Sequence, residues 1–130
     1  MNIFKIQICA SNPADEKMVT TPVEILINTA SEFTWLPRAA LSRIGVTPRG
    51  KRKVYTRMNQ KVERDTGCVI LCSNGHKTRE EVVFAEPGDA VIVGRESLEG
   101  LGVTIDDPEH GFVSLSTLIG FQSHETLKVA

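Results

Sequence analysis

Two stretches of this chain carry residue types arranged for chemistry. In the first, the apolar run Val23-Glu24-Ile25-Leu26-Ile27 delivers a short polar turn, Asn28-Thr29-Ala30-Ser31. A carboxamide at such a strand end hydrogen-bonds a water or a carbonyl group, but it accepts no proton at any useful pH. The second stretch, Val91-Ile92-Val93 followed by Gly94-Arg95 and the helix-like Glu96-Ser97-Leu98-Glu99-Gly100, lies 66 positions after Asn28 when counted to Gly94. Other signals are sparse. His76, His110 and His124 stand far apart in polar, turn-like contexts, no Ser/His/Asp or Cys/His arrangement stands out, and no Gly-rich phosphate loop follows a strand.

Taken together, the two stretches resemble the signatures of the retropepsin-like aspartic peptidases, in which an apolar strand ends in Asp-Thr-Gly or Asp-Ser-Gly and a later strand runs into Gly-Arg and a short helix. The resemblance covers most of the chain and is nearest to the short bacterial single-lobe members. It includes the Ile3-Phe4-Lys5-Ile6-Gln7-Ile8 opening, the Asn12-Pro13 turn and the Thr34-Trp35-Leu36-Pro37 step. The chain departs from the family pattern at Asn28, where the catalytic aspartate belongs, and at Ala30, in place of glycine.

The resemblance implies a mostly β, closed barrel-like lobe with one or two short helices and a flap hairpin. It also implies a homodimer, because each lobe supplies one of two carboxylates set about 3 Å apart that share a single proton. With Asn28 in both copies, water activation is lost. Removing a general base alone costs on the order of 10² to 10⁴ in rate, so the chain is expected to be inactive or nearly so. By the same resemblance, Thr29 makes hydroxyl contacts between subunits, and Ser31 and Glu32 border the substrate. Arg95 behind Gly94 pairs with Glu32 to fix the loop, and Met58-Asn59-Gln60 forms the flap tip over an extended peptide or protein substrate. A non-catalytic dimeric module that binds peptides without cutting them is the alternative reading. A literal Asp65-Thr66-Gly67 also occurs, but no apolar strand precedes it and only 29 positions separate it from Gly94, too few to hold a flap. It reads as a solvent-facing strand segment.

The elements that must position these residues follow from local patterns. Ile3 to Cys9 and Lys17 to Ile27 read as strands around a Ser11-Asn12-Pro13 turn, the second becoming continuously apolar as a buried strand does. Pro37 to Ile44 reads as a short helix stopped by Gly45. The basic run Pro48 to Lys53 reads as a solvated loop. Strands follow at Val54 to Met58, Val62 to Cys72 and Thr78 to Phe84, with Asn74-Gly75 a strong hairpin signal. Ala85 to Asp89 turns the chain into the Val91 to Val93 strand. Many short strands and few helices predict a mostly β closed sheet.

Composition sets the outer bounds. At 130 residues the chain fits one domain, 1–130, and the tail from residue 111 onward, with Phe112, Val113, Leu115, Leu118, Ile119 and Phe121, is assigned by resemblance to the dimer interface. Fifteen Lys+Arg against 16 Asp+Glu leave no global field to recruit nucleic acid or an anionic membrane. No apolar stretch reaches the roughly 20 residues of a membrane span, and the N-terminus lacks a secretory pattern, so a cytoplasmic location is expected. Cys9, Cys68 and Cys72 suit reduced thiols, with Cys68 and Cys72 roughly 13 Å apart along one strand. Neither a metal site nor a cofactor is expected.

Overall fold

The computed structural model describes residues 4–56, 58–107, 112–114 and 126–128. Side chains are described from Lys5 to Val103, with residue 57 excepted. The described chain is mostly β, with two short helices.

The chain opens with β1 (Phe4–Asn12), turns at Pro13 and comes back as β2 (Asp15–Val19) and β3 (Val23–Ile27), both antiparallel to β1. Sequence reading made the return a single strand from Lys17. It is instead broken at residues 20–22, because Pro22 has no N–H to give a ladder. Thr20 spans the break, donating its N–H to the Ala10 carbonyl at 2.8 Å while its hydroxyl accepts the Ala10 N–H at 2.9 Å. β3 is also one-sided: Ile25 and Ile27 are buried, whereas Leu26 is 37% exposed.

A short strand that sequence reading did not draw, β4 (Thr34–Pro37), leads into α1 (Arg38–Arg43). Gly45 ends the helix with φ at +77°. Its N–H reaches the Ser42 carbonyl at 3.0 Å and that of Val46 reaches Leu41 at 2.9 Å, the paired bonds of a Schellman cap. Next, β5 (Gly50–Tyr55), β6 (Lys61–Ser73) and β7 (His76–Ala85) form a meander. Lys51, Arg52 and Lys53, expected in a loop, are paired with Asp65, Arg64 and Glu63 as part of β5. β5 is the last strand of its sheet, and exposed cations on such an edge discourage pairing with a further chain. Asn74 (φ 50°) and Gly75 (φ 84°) make the predicted two-residue turn between β6 and β7.

After the turn at residues 86–89 come β8 (Ile92–Val93) and α2 (Arg95–Gly100). β8 enters between β3 and β4, parallel to β3 and antiparallel to β4. β4 in turn runs parallel to β7, and β6 returns to β1 through Cys9↔Cys72, Ala10↔Leu71 and Ser11↔Ile70. The pairings β1–β3–β8–β4–β7–β6–β1 thus make a ring. The main core fills it, with Ile6, Leu41, Val69, Leu71, Phe84 and Val93 at 2% exposure or less. A smaller cluster, Trp35, Val54, Val83, Ala85 and Ile92, lies apart from it. Beyond Val103, β9 (Thr104–Asp107), β10 (Phe112–Ser114) and β11 (Thr126–Lys128) pair antiparallel in a second sheet. Most of the tail assigned by resemblance to a dimer interface lies outside the described residues.

Candidate functional site

The two stretches singled out in the sequence meet in space because β3 and β8 are parallel neighbours. Leu26 pairs with Ile92 and Ile27 with Val93, so the chain leaves both strands at the same edge. From there the Asn28–Phe33 loop is stitched to the start of α2. The Asn28 N–H donates to Val93 O (3.0 Å), the Arg95 N–H to Ser31 O (2.7 Å) and the Glu96 N–H to Glu32 O (3.2 Å). The Ser31 hydroxyl donates to Phe33 O at 2.7 Å, and the Arg95 guanidinium donates to Thr29 O at 3.1 Å.

Below the loop lies a buried polar knot. Thr34 Oγ1 accepts the Gly94 N–H at 2.9 Å and lies 2.6 Å from Ser97 Oγ, both hydroxyl residues being 1% exposed. Gly94 must be glycine for lack of room rather than for its φ of −90°. A Cβ there would run into the Phe33 carbonyl group and stand 2.9 Å from Glu32 O.

Asn28 is half-buried and its orientation is set within the turn, its Oδ1 accepting the Ala30 N–H at 3.0 Å. Since that neighbour is a donor, the amide oxygen and not the nitrogen faces it. Ala30 has no positive φ, so the missing glycine costs the loop nothing in backbone strain. A carboxylate at position 28 would accept the same N–H and leave its second oxygen free.

Asn28, Ala30 and Ser31 form one side of a cleft of ≈ 670 Å³. Trp35, Val62 and Ile92 are among its apolar lining. Its other side is the β5–β6 hairpin end, with Tyr55, Met58, Asn59 and Gln60. That end is closed by its own bonds: Thr56 N–H to Gln60 O (2.9 Å), Asn59 N–H to Thr56 O (2.8 Å) and Gln60 N–H to Thr56 Oγ1 (3.2 Å). Asn59 takes the left-handed position (φ 62°), one that asparagine tolerates well.

The structure therefore gathers Asn28, Ala30, Ser31, Met58, Asn59 and Gln60 around one cleft, with Gly94 and Arg95 behind the loop. Thr29 and Glu32 do not line it. The expected Arg95–Glu32 pair is not among the ion pairs of the described residues. The loop's backbone already lies on the helix start, and Arg95 is taken up by the Thr29 carbonyl. Glu32 sits instead beside Glu96, whose carboxyl is raised by partial desolvation and by the Glu32 charge. Asp65, on β6, is partly exposed and shares Arg38 with Glu86, the Arg38 guanidinium lying 5.1 Å over the Phe84 ring.

Sequence reading missed the charged wall of the cleft. Arg64 grips Asp89 through two bonds, Nε to Oδ2 at 2.7 Å and Nη2 to Oδ1 at 3.0 Å. Asp89 also accepts the Glu86 N–H at 2.8 Å, and the Arg64 guanidinium holds its carboxyl below the ordinary range. Strand alternation offered one clue, for Val62 and Arg64 share a face of β6. Among the described residues no cluster of His, Cys, Asp and Glu is arranged to hold a metal ion, and no helix is long and apolar enough to cross a membrane. Comparison with protein-family models gives no match, and comparison with curated proteins gives none either.

Proposed function

We propose that this chain is a retropepsin-like aspartic peptidase lobe that binds extended peptides in the Asn28 cleft and, with Asn28 in place of the catalytic aspartate, holds them without cutting. The observation that carries this reading is the junction of the Asn28 turn with the Gly94-Arg95 helix start, beneath a cleft bounded on its far side by a hairpin. In this reading the β5–β6 hairpin is the flap, and the cleft is completed by a second copy related by twofold symmetry. A peptide lies between flap and floor as an added strand, giving its backbone hydrogen bonds to the protein and its apolar side chains to Trp35, Val62 and Ile92.

The chemistry at position 28 follows from its bonding. With aspartate in each copy, two carboxylates share one proton. One takes a proton from water while the other donates to the scissile carbonyl. Asn28 keeps the shape and the Ala30 N–H bond, and an amide oxygen orients a water, but neither copy can take its proton. For the chain as it stands this reading means binding without hydrolysis; a dimeric module that binds peptides without ever having cut them is the second reading, and Asn28 itself favours it.

Asn28→Asp is the test. Incubated with a peptide library at acidic and neutral pH, the variant is expected to cleave at least 100-fold faster than the parent, in line with a restored general base. Blockage by a transition-state peptide mimic is expected as well. If both proteins are silent, yet the parent still captures peptides, the binding module stands and the peptidase reading falls.

A further inference from the structure

Cys9 and Cys72 face each other where the ring closes. They are direct partners in the antiparallel β1–β6 ladder, with Ala10↔Leu71 and Ser11↔Ile70 beside them. Each thiol leans on the opposite strand. Cys9 Sγ donates to Cys72 O at 3.7 Å, and Cys72 Sγ donates to Cys9 O at 3.5 Å. Both residues are half-buried and neither is in a disulfide. Directly opposed residues of an antiparallel pair hold their Cβ atoms about 4.5–5.5 Å apart. A disulfide spans about 3.5–4.5 Å, so a small local closure suffices. The third cysteine is placed differently: Cys68 pairs with Glu81 on β7.

We propose that Cys9 and Cys72 are a thiol pair that a low-molecular-weight disulfide converts into a cross-strand disulfide, locking the seam of the ring. The exchange balances in two steps. The Cys9 thiolate attacks one sulfur of oxidised glutathione, forming a mixed disulfide and expelling one glutathione thiolate. Cys72 then yields its proton to solvent and attacks Cys9 Sγ, expelling the second. Two protein thiols are oxidised by two electrons, and one molecule of oxidised glutathione becomes two of the reduced form.

The setting fits a pair that stays reduced until challenged. Desolvation, followed by the hydrogen bonding of the Cys72 thiol with Cys9, pushes that thiol up to about 12, so Cys72 is a slow nucleophile near neutrality. The pair is close to the surface, because the exposed Lys77–Glu16 ion pair (3.1 Å) is near enough for both charges to act on Cys72. The disulfide would enclose the chain from β1 to β6, a long loop of the kind whose closure most restricts the unfolded state.

The experiment treats the full chain with oxidised glutathione in mildly alkaline buffer, alkylates the remaining thiols, and maps peptides by mass spectrometry beside a thermal melt. The expected product has lost two hydrogens, joins the Cys9 and Cys72 peptides, carries alkylated Cys68, and melts about 10 °C higher until dithiothreitol reverses it. Cys9→Ser and Cys72→Ser each abolish the linkage and the shift, while Cys68→Ser keeps both. A persistent glutathione adduct on either residue, a linkage through Cys68, or unreacted Cys9 and Cys72 would each overturn the proposal.

Discussion

The two sides of the cleft are built on opposite plans. The Asn28–Phe33 loop is bonded to distant chain. Its partners Val93, Arg95 and Glu96 come from more than 60 positions away, and Thr34, Gly94 and Ser97 form a sealed hydroxyl knot behind it. The hairpin end at residues 56–60 bonds mainly to itself, and Met58 at its tip is 82% exposed. Among the described residues, opening the hairpin end disrupts chiefly its own short-range bonds, whereas moving the loop breaks its bonds to β8 and to the start of α2. Local opening free energies follow such differences in buried contact. In the proposed reading, such a site keeps its polar group at a fixed position while the opposite wall opens to admit a peptide.

Gly94→Ala strikes the fixed side hardest. Its Cβ meets backbone, which cannot rotate away, so the substitution is expected to cost about 3 kcal/mol or more, read as a lower urea midpoint. A loss below about 1 kcal/mol would mean that the loop yields and the contrast between the two sides is wrong. Thr34→Val comes next, leaving the Gly94 N–H without its acceptor and Ser97 without its partner. It is expected to cost about 2 kcal/mol, with the double variant Thr34→Val/Ser97→Ala losing less than the sum of the two single changes. On the hairpin side, Met58→Ser should move stability by no more than about 0.5 kcal/mol while weakening peptide capture, measured by calorimetry. If Met58→Ser destabilised the fold as much as Thr34→Val, the hairpin end would have to be counted as part of the ring.

What the sequence disclosed divides along the same line between local and distant bonds. Gly45 as a helix stop and Asn74-Gly75 as a turn were legible because φ preferences act within a few residues. The meeting of the Asn28 turn with Gly94-Arg95 was expected only through the family resemblance, since nothing in either stretch announces a parallel pairing across 66 positions. Where reading failed, a distant partner had decided the outcome. Asp65 is drawn to Arg38, the basic run is drawn into a strand by β6, and Arg64 meets Asp89 25 positions on, in the turn after β7. β4 was missed for a related reason: Thr34, Trp35 and Leu36 are all buried, so the strand shows no alternation to read. Pro22 marks the break in the sequence itself, since it has no N–H to give a ladder.

The place of β8 between β3 and β4 also fixes an order of events during synthesis. β3 is complete at Ile27 and β4 at Pro37, but the two-residue strand that joins them arrives only with Ile92 and Val93. At roughly 5–20 residues per second, the nascent chain waits several seconds for it. Until then β3 and β4 lack the strand that joins them, and each has an edge open to other partners. The interval falls before the cleft exists, making the unfinished ring, rather than the finished protein, the form most in need of a chaperone.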